Sequence, residues 1–302
     1  MFHPFLTKLV TIMKKLGLAT ALLLAMTGAQ AYQFEVQGQS EYIDNTVNDK
    51  NFTGAVQGTY YFKNVDATKG PLAEAAFLNQ ASNFSLAYNY GEYDEDGLDI
   101  VSHTYGAKAE AYVPTKLVPV YASAAYSHTI TDGKGGQDND NGDRYALELG
   151  AVVAPNFLVA VGYTSVADQD SYDAFNILAN GVAKAALESD TIDQDQDAIT
   201  ARTKYVGAID GTNMAVGFEA GLVYGEDTMY NLKTDLYLTP ALSVGASYVE
   251  TSANTNVDSA WGANVNYFIT PAVAVGASYV NANAVGVARD TQTVGVNAKF
   301  RF

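Results

Sequence analysis

Charged residues in this chain often stand two positions apart, with a small or apolar residue between them. Lys108 and Glu110 form one such pair, and Lys299 and Arg301 form another. In a β-strand, residues i and i+2 lie on the same face, so both members of a pair point the same way. Choosing the apolar face of each predicted segment as the outer one leaves these inward charged residues: Glu35, Lys108, Glu110, Glu148, Arg202, Lys204, Glu219, Lys233, Asp235, Lys299 and Arg301. Such a face can set a transverse electric field, or its charges can pair and stiffen the structure, and both interpretations stay open.

Residues that could support catalysis or bind a metal are scarce beyond the N-terminal region. His103 and His128 fall on the apolar side of their segments, and no Ser or Asp is placed to complete a triad with either. The segment QDNDNGDRYALE is similar to a calcium-binding loop, but it has Gln137 at the first ligand position, and Glu148 falls within a predicted strand. We therefore predict no enzymatic activity, no metal site and no cofactor.

The first residues have the pattern of a secretory signal. Lys14 and Lys15 precede the apolar run LGLATALLLAM, and the small residues of the AQA motif at 29–31 suit a cleavage site. We therefore expect a signal peptide over 1–31, cleaved before Tyr32. Within it, 1–12 would be an upstream extension, because Met13 could begin a conventional signal alone.

Composition narrows the class of protein further. The formal net charge is −16, which disfavours a nucleic-acid partner because phosphate binding needs a basic face. The chain has no cysteine, so no disulfide framework would hold an exported protein together. After the predicted signal, no apolar run reaches the roughly 18 residues of a transmembrane helix. The mean hydropathy of −0.04 also disfavours a bundle of membrane helices.

Alternation of apolar and polar residues with a period of two dominates 32–302. At the C-terminus, Val294, Val296 and Phe300 fall on one face, while Lys299 and Arg301 fall on the other. About fourteen segments share the pattern, and most are about 10 residues long, enough to cross a bilayer as tilted strands. They are 32–42, 51–63, 84–93, 100–113, 119–130, 145–153, 157–166, 198–208, 213–224, 229–238, 242–250, 259–269, 273–281 and 291–302.

The connections between these segments alternate between tight and mostly longer, acidic ones. Short links such as TPA follow the even segments, and Asp210-Gly211 is a hairpin signal. Longer links, such as 131–144 and 167–197, follow odd segments. This asymmetry predicts an all-β transmembrane antiparallel barrel of about 14 strands over 32–302, with short periplasmic turns and longer acidic extracellular loops. A tyrosine-rich soluble sandwich is the alternative.

A thirteen-residue pattern recurs within the predicted barrel. FITPAVAVGASYV and YLTPALSVGASYV are nearly identical, and VVAPNFLVAVGYT is a looser copy. In each copy a tyrosine follows the proline by eight residues, which predicts that Tyr163, Tyr248 and Tyr279 form part of an upper aromatic girdle. Phe157, Tyr237 and Phe268 are expected near a lower girdle.

Several longer stretches resemble the carbapenem-associated outer-membrane porin family of Acinetobacter. They are KKLGLATALLLAMTGAQAYQFEVQGQSEY, GPLAEAAFLNQASN, DGTNMAVGFEA and NYFITPAVAVGASYV. The terminal Phe302, with its alternating apolar neighbours, also resembles the assembly signal of Gram-negative outer-membrane barrels. The resemblance covers nearly the whole chain and implies a 14-stranded barrel that passes water and small solutes.

The residues and the resemblance together predict a passive diffusion channel for water and small polar solutes, with a mild cation preference from its acidic loops. A largely closed structural or host-contact barrel is the alternative. The expected location is the outer membrane of a Gram-negative bacterium. Expected partners are the membrane lipid, lipopolysaccharide and the outer-membrane assembly machinery.

Two connecting segments are predicted to affect whether the channel is open. The link 167–197 contains AFNILANGVAKAALES, which is apolar at near-helical spacing. It could fold into the mouth of the barrel and narrow it, or pack on the rim as a lid or surface epitope. The link 66–83, with Pro71 opening PLAEAAFLN, is predicted to form a helical turn that caps or gates the periplasmic end.

Overall fold

The structure, a computed structural model, describes residues 31–44, 51–95, 98–134, 140–254, 257–284 and 290–302. The expected signal peptide lies almost entirely outside them. The strands of the described residues are β1 Ala31–Asp44, β2 Asn51–Asp66, β3 Asn83–Glu95, β4 Leu98–Val113, β5 Val120–Lys134, β6 Asp140–Ala154, β7 Phe157–Asp168, β8 Asp197–Ala208, β9 Ala215–Tyr224, β10 Thr228–Thr239, β11 Leu242–Thr251, β12 Val257–Thr270, β13 Val273–Ala284 and β14 Thr291–Arg301.

These strands form one closed antiparallel barrel in which every strand pairs with its neighbours in sequence. The first strand closes the barrel on the last, with Glu35 opposite Arg301 and Gln37 opposite Lys299. Closure leaves no strand with an open edge, which is what a sheet needs in a lipid environment without water to satisfy its backbone. The predicted fold class and strand number are confirmed.

The outer face of the barrel is apolar. Leu149 is 64% exposed and Val161 is 59% exposed, although residues of these types are usually buried in soluble proteins. Val294, Val296 and Phe300 are exposed on the same outer face, as their alternation in the sequence predicted. An apolar surface that continues around a closed barrel is suited to contact with lipid chains.

The tight connections gather at one end of the barrel, here called the turn end, where β4 joins β5 and β10 joins β11. The predicted hairpin at Asp210-Gly211 is present, and Gly211 has a positive φ of 76°, which favours glycine. Of the links at the opposite, loop end that the structure describes throughout, 225–227 is short as well. There β6 begins at Asp140, so Asp140 and Asp143 belong to a strand and not to a loop as the sequence suggested.

Two connections fold into the barrel instead of lying outside it. The turn-end insert, 67–82, holds a 3₁₀ turn at Leu72–Glu74 and a short helix at Ala75–Leu78. The loop-end insert, 169–196, holds helices at Asn176–Asn180 and Val182–Thr191. Of the helices in the described ranges, none is long and apolar enough to cross a membrane.

Candidate functional site in the barrel lumen

The eleven charged side chains selected from the sequence all lie on the inner face of the barrel. Neighbouring strands place them side by side: Glu219 of β9 lies opposite Lys204 of β8 and Lys233 of β10. Most lie in the half of the lumen nearer the turn end. The alternation of side chains between the two faces of each strand was therefore sufficient to predict which way these side chains point.

The charges pair along the wall more than across the lumen. The Glu35 carboxylate lies 3.1 Å from the Lys299 ammonium and 2.7 Å from the Arg301 guanidinium, both on the adjacent β14. Arg202 binds Glu148 at 3.0 Å, two strands away, and Lys108 binds Glu110 at 3.0 Å on its own strand. Pairing of this kind stiffens the wall and still leaves both signs facing the lumen.

The opposite wall is rich in uncharged polar groups. Inward positions of β1 and of β11 to β14 carry amides and hydroxyls at mid-height, namely Gln37, Gln39, Ser243, Ser247, Asn264, Asn266, Ser278 and Asn297. Glycines on neighbouring strands accommodate some of these amides: a Cβ at Gly245 would lie only 2.6 Å from the Asn264 amide nitrogen. The lumen therefore has one side, from β4 to β10, on which charges predominate, and one side on which neutral hydrogen-bonding groups stand beside the Glu35, Lys299 and Arg301 cluster.

The turn-end insert crosses the lumen and contacts strands on several sides. The Leu72 N–H donates to the Pro240 carbonyl at 2.8 Å, and the Leu72 carbonyl accepts from Arg301 at 2.8 Å. Phe77 packs in a buried apolar cluster with Tyr121 and Leu158, on the other side of the barrel. The link predicted to cap or gate this end therefore lies inside it.

Glu74 fixes this insert to the charged wall. Its carboxylate lies 3.0 Å from the Lys204 ammonium and accepts a hydrogen bond from the Tyr237 hydroxyl at 2.7 Å. Burial alone would raise the pKa of Glu74, but Lys204 and the Tyr237 hydroxyl lower this pKa below its ordinary value. Sequence analysis missed Glu74, because its partners Lys204 and Tyr237 are far away in the chain. The one signal in the sequence was that Glu74 is an acidic residue within an otherwise apolar helical stretch.

The expected lower girdle is wrong at two of its three positions. Tyr237 and Phe268 are buried on the inner face, where they pack against the turn-end insert. Tyr237 points inward because it lies two and four positions from Asp235 and Lys233 on β10 and therefore shares their inner face. Phe157 lies on the outer side beside Tyr205, with ring centroids 6.2 Å apart.

The repeat tyrosines Tyr163, Tyr248 and Tyr279 lie on the outer face. Tyr163 and Tyr248 are 46% and 40% exposed, and the Tyr279 ring lies 5.5 Å from that of Trp261. The two histidines also lie on the outer face: Nδ1 of His128 is 2.8 Å from Asp143. Asp143 also accepts a hydrogen bond from the Tyr126 hydroxyl, so its carboxylate lies on the outer face of the barrel and not on the inner rim.

The loop-end insert fills much of the other half of the lumen. Leu187 and Ile192 pack in a buried cluster with side chains of seven strands of the wall, represented by Val223 and Val280. This favours the prediction that the link enters the mouth over the one that it packs on the rim. Gly181 joins the two helices at a φ of +89°, and a Cβ there would lie 2.9 Å from a Glu41 carboxylate oxygen.

Polar side chains anchor the same insert. The Arg144 guanidinium, 3% exposed, lies 2.5 Å from the Glu188 carboxylate, which also accepts from the Asn176 amide. The Lys184 ammonium contacts the Ser247 hydroxyl. Burial and the nearby charge of Lys233 lower the pKa of Lys184 to about 8. Sequence analysis also missed Arg144 and Glu188, which are separated by 44 positions.

Space remains in the lumen beside the inserts. A cavity of about 320 Å³ lies between the two inserts against the amide-rich wall, and one of about 240 Å³ lies between the loop-end insert and the charged wall. Both are lined by polar groups that can exchange hydrogen bonds with water and small solutes. Among the described residues, no cluster of His, Asp and Glu is arranged to hold a metal ion.

Comparison with known proteins identifies relatives of this barrel. A family model described as "Putative general bacterial porin" matches residues 6–302. The crystal structure of the outer membrane protein Omp33 of Acinetobacter baumannii is 57% identical, with a TM-score of 0.69, and the match covers 90% of this chain and 99% of that one. No curated protein matches the chain.

Two hydrocarbon channels share the fold at low identity. CymD, a monoaromatic hydrocarbon channel, is 9% identical with a TM-score of 0.56, over 92% of this chain and 90% of that one. The Pseudomonas putida toluene transporter TodX is 9% identical with a TM-score of 0.51, over 90% of this chain and 89% of that one.

The family match covers nearly the whole chain, and the barrel is a channel protein of the outer membrane, not an enzyme. The chain therefore belongs to the general bacterial porin family.

Proposed function

We propose that this porin passes water and small polar solutes by passive diffusion, through a lumen that its two inserts keep narrow at rest. The observation that carries the proposal is a pair of polar cavities in the lumen, one between the two inserts and one between the loop-end insert and the charged wall. A polar wall lowers the barrier for solutes that must give up part of their hydration. Movement of an insert would widen the path.

We also propose a mild cation preference. The lumen wall carries both signs, whereas exposed acids such as Asp170, Asp190 and Asp193 belong to the loop-end insert. An acidic entrance raises the local concentration of cations and repels anions. Asp140 and Asp143 contribute less than their sequence positions suggested, because they lie on a strand, and Asp138 lies outside the described residues.

Export and assembly form part of the same proposal. Cleavage before Tyr32 would leave a chain that begins within β1. Phe302 stands at the seam between the first and last strands: its N–H donates to the Phe34 carbonyl at 2.9 Å, and its ring stacks on Phe34 at 5.7 Å. We infer that the assembly machinery reads this terminal segment and that the outer face then contacts lipid and lipopolysaccharide.

A largely closed structural or host-contact barrel is the second candidate. It is favoured by the ion pairs Glu74–Lys204 and Arg144–Glu188, which hold an insert at each end. In that case the exposed loops would carry the function, and the lumen would only need to be filled.

Planar-bilayer recording separates the two candidates. The parent protein is compared with a variant in which 67–81 is replaced by a four-residue glycine-serine linker. A control variant carries the same linker in place of the exposed turn 114–119. A porin should give small conductance steps that grow in the first variant and stay unchanged in the control. If the parent and the first variant are both silent while their barrels remain folded, the closed-barrel candidate is correct.

A further inference from the structure

A third and larger cavity lies in the loop-end half of the barrel, apart from the two polar cavities described above. Its volume is about 480 Å³, within the range of sites that hold drug-sized ligands. It lies between the loop-end insert and the inner faces of β1 to β5 and β12 to β14. Apolar side chains form much of its lining, among them Ile43, Ile100, Ile177, Leu187 and Val257.

Hydrogen-bond acceptors without partners stand in the same wall. Asn89 is 3% exposed and donates its amide N–H to the Ala174 carbonyl at 3.0 Å, but its Oδ1 has no partner among the described residues. Gln169 Oε1 and Thr293 Oγ1 line the cavity and are likewise buried without a partner there. Buried unpaired polar atoms cost free energy, which a ligand with N–H groups would recover.

The charge of the cavity has one sign. Asp170 and Asp190 of the loop-end insert and Glu92 of β3 line it, and no lysine or arginine does so among the described residues. Both aspartates are exposed residues, which places their carboxyl groups toward the solvent-facing side of the cavity. Partial burial raises the pKa of Asp170 to about 7 and that of Asp190 to about 6. The hydrogen bond and the charge of Asp193 add to the first shift, and its charge adds to the second. A bound cation would favour the ionised forms of both aspartates.

We propose that this cavity is a binding site for a small amphipathic organic cation, an amine with an apolar body. The apolar body would lie against the isoleucines and Leu187. The ammonium has three donors and no acceptor, which matches a lining of carboxylates and unpaired oxygens. This site goes beyond the proposed diffusion function and does not depend on it, because binding can be measured whether or not the barrel conducts.

Methyl NMR of the whole protein in lipid nanodiscs tests the proposal, with 4-phenylbutylamine as the probe. The isoleucine methyl groups are labelled. Ile43, Ile100 and Ile177 report on the cavity, whereas Ile199 and Ile269, exposed on the outer face, report on probe dissolved in the lipid. We expect saturable shifts confined to the cavity isoleucines. The matched alcohol, 4-phenylbutan-1-ol, and the anion 4-phenylbutyrate should bind at least roughly fivefold more weakly, since they lack the charge pairing.

Matched variants locate the charge recognition. Asp170→Asn and Asp190→Asn should each weaken amine binding by roughly threefold to tenfold. Asp210→Asn, at an exposed turn on the opposite end, should leave it unchanged. Ala186→Phe, which fills the cavity, should abolish the shifts and provides a second variant if an aspartate change disturbs the insert.

Four results would overturn the proposal. The first is equal affinity for the alcohol and the amine, and the second is equal behaviour of Asp170→Asn and Asp210→Asn. The third is reproduction of the same shifts by calcium chloride alone, which would make this a site for inorganic cations. Shifts at Ile199 and Ile269 without shifts at the cavity isoleucines would assign the probe to the lipid and also reject it.

Discussion

Glu74 is the single side chain whose contacts say most about opening at the turn end. Glu74→Gln would remove its ion pair with Lys204, which would keep Glu219 as a partner at 3.7 Å. Breaking one buried charged contact costs about 1–3 kcal/mol, and that cost falls on the docked insert. We therefore expect a higher open probability in planar bilayers.

Tyr237→Phe is the matched comparison for Glu74→Gln. It removes one hydrogen bond to the same carboxylate and keeps the ring in its apolar cluster, so its effect should be about 1 kcal/mol or less. An equal or larger effect of Tyr237→Phe would mean that packing of the ring, and not the charge on Glu74, holds the insert.

For single residues, the sequence predicted the direction of a side chain wherever the alternation along a strand determines it. It did not predict roles that depend on contacts between distant segments of the chain. The alternation placed Lys108, Arg202 and Glu219 on the inner face. The same alternation directs Tyr237 inward, but its position three residues before Pro240 in the repeated segment led to the prediction of a girdle residue. Glu74 and Glu188 could not be predicted, because each is defined by a partner that the fold brings from a remote segment.

Among the connecting elements, the loop-end insert should respond to pH. Asp170 and Asp190 have pKa values raised to about 7 and about 6 in the docked insert by burial and by Asp193, whose own pKa is lowered by the hydrogen bond to Asp170. Docking therefore takes up protons at these two carboxyl groups, whereas Lys184, with its pKa lowered to about 8, releases a proton on docking only near and above pH 8. The stability that the two carboxyl groups add is complete below the ordinary aspartate pKa of about 4 and is lost as the pH rises through 6 and 7.

Open probability should accordingly be lower at pH 5 than at pH 8. Asp170→Asn should flatten this dependence, because the amide cannot ionise and part of the carboxylate repulsion disappears at every pH. A parent channel that opens more at pH 5 would contradict the assignment of docking to these carboxyl groups.

The junction between the two helices of the same insert offers a test of its docking by backbone geometry. Gly181 has φ +89° and ψ 158°, a region that residues with a side chain reach only at a cost of about 1–3 kcal/mol. Gly181→Ala should therefore loosen the insert. Lys184 is the only basic residue within 169–196, so tryptic cleavage there measures release, and its rate should rise.

Gly211→Ala is the control for this change. Gly211 also has a positive φ, 76°, but no atom lies near the position of a new Cβ, and the turn is at the opposite end. It should leave cleavage at Lys184 unchanged. The loop-end insert was only partly predictable, because near-helical apolar spacing indicates a buried helix but does not say which surface buries it.

At the scale of the whole molecule, closure of the barrel depends on the seam between β1 and β14. Deletion of Phe302 removes its hydrogen bonds to 33–34 and its stacking on Phe34. We expect impaired insertion and normal secretion, because the predicted signal is untouched. Cell fractionation checks this, and parent-like amounts of the truncated chain in the outer membrane would reject the role of Phe302 in assembly.

The distribution of charge over the whole molecule sets the expected selectivity. The chain carries −16, yet the lumen wall mixes acids with Lys108, Arg202 and Lys233, so much of the excess negative charge lies elsewhere. Exposed charges at the loop end are screened within about 8 Å at physiological salt, whereas charges in the lumen are screened less. We predict a mild cation preference that is strongest at low salt and fades as the ionic strength rises.

Reversal potentials across a potassium chloride gradient measure this preference. Neutralising Glu226 and Asp258 together should reduce it at low salt and leave the conductance at high salt unchanged, since these two exposed acids of the loop end lie outside the loop-end insert and attract counterions toward the entrance. Glu219→Gln should instead change the conductance itself, because Glu219 lies in the narrow lumen, 3.7 Å from Lys204 and 3.9 Å from Arg202. Firm anion selectivity of the parent protein would contradict this placement of charge, because it would require the bases of the wall to outweigh every acid along the path.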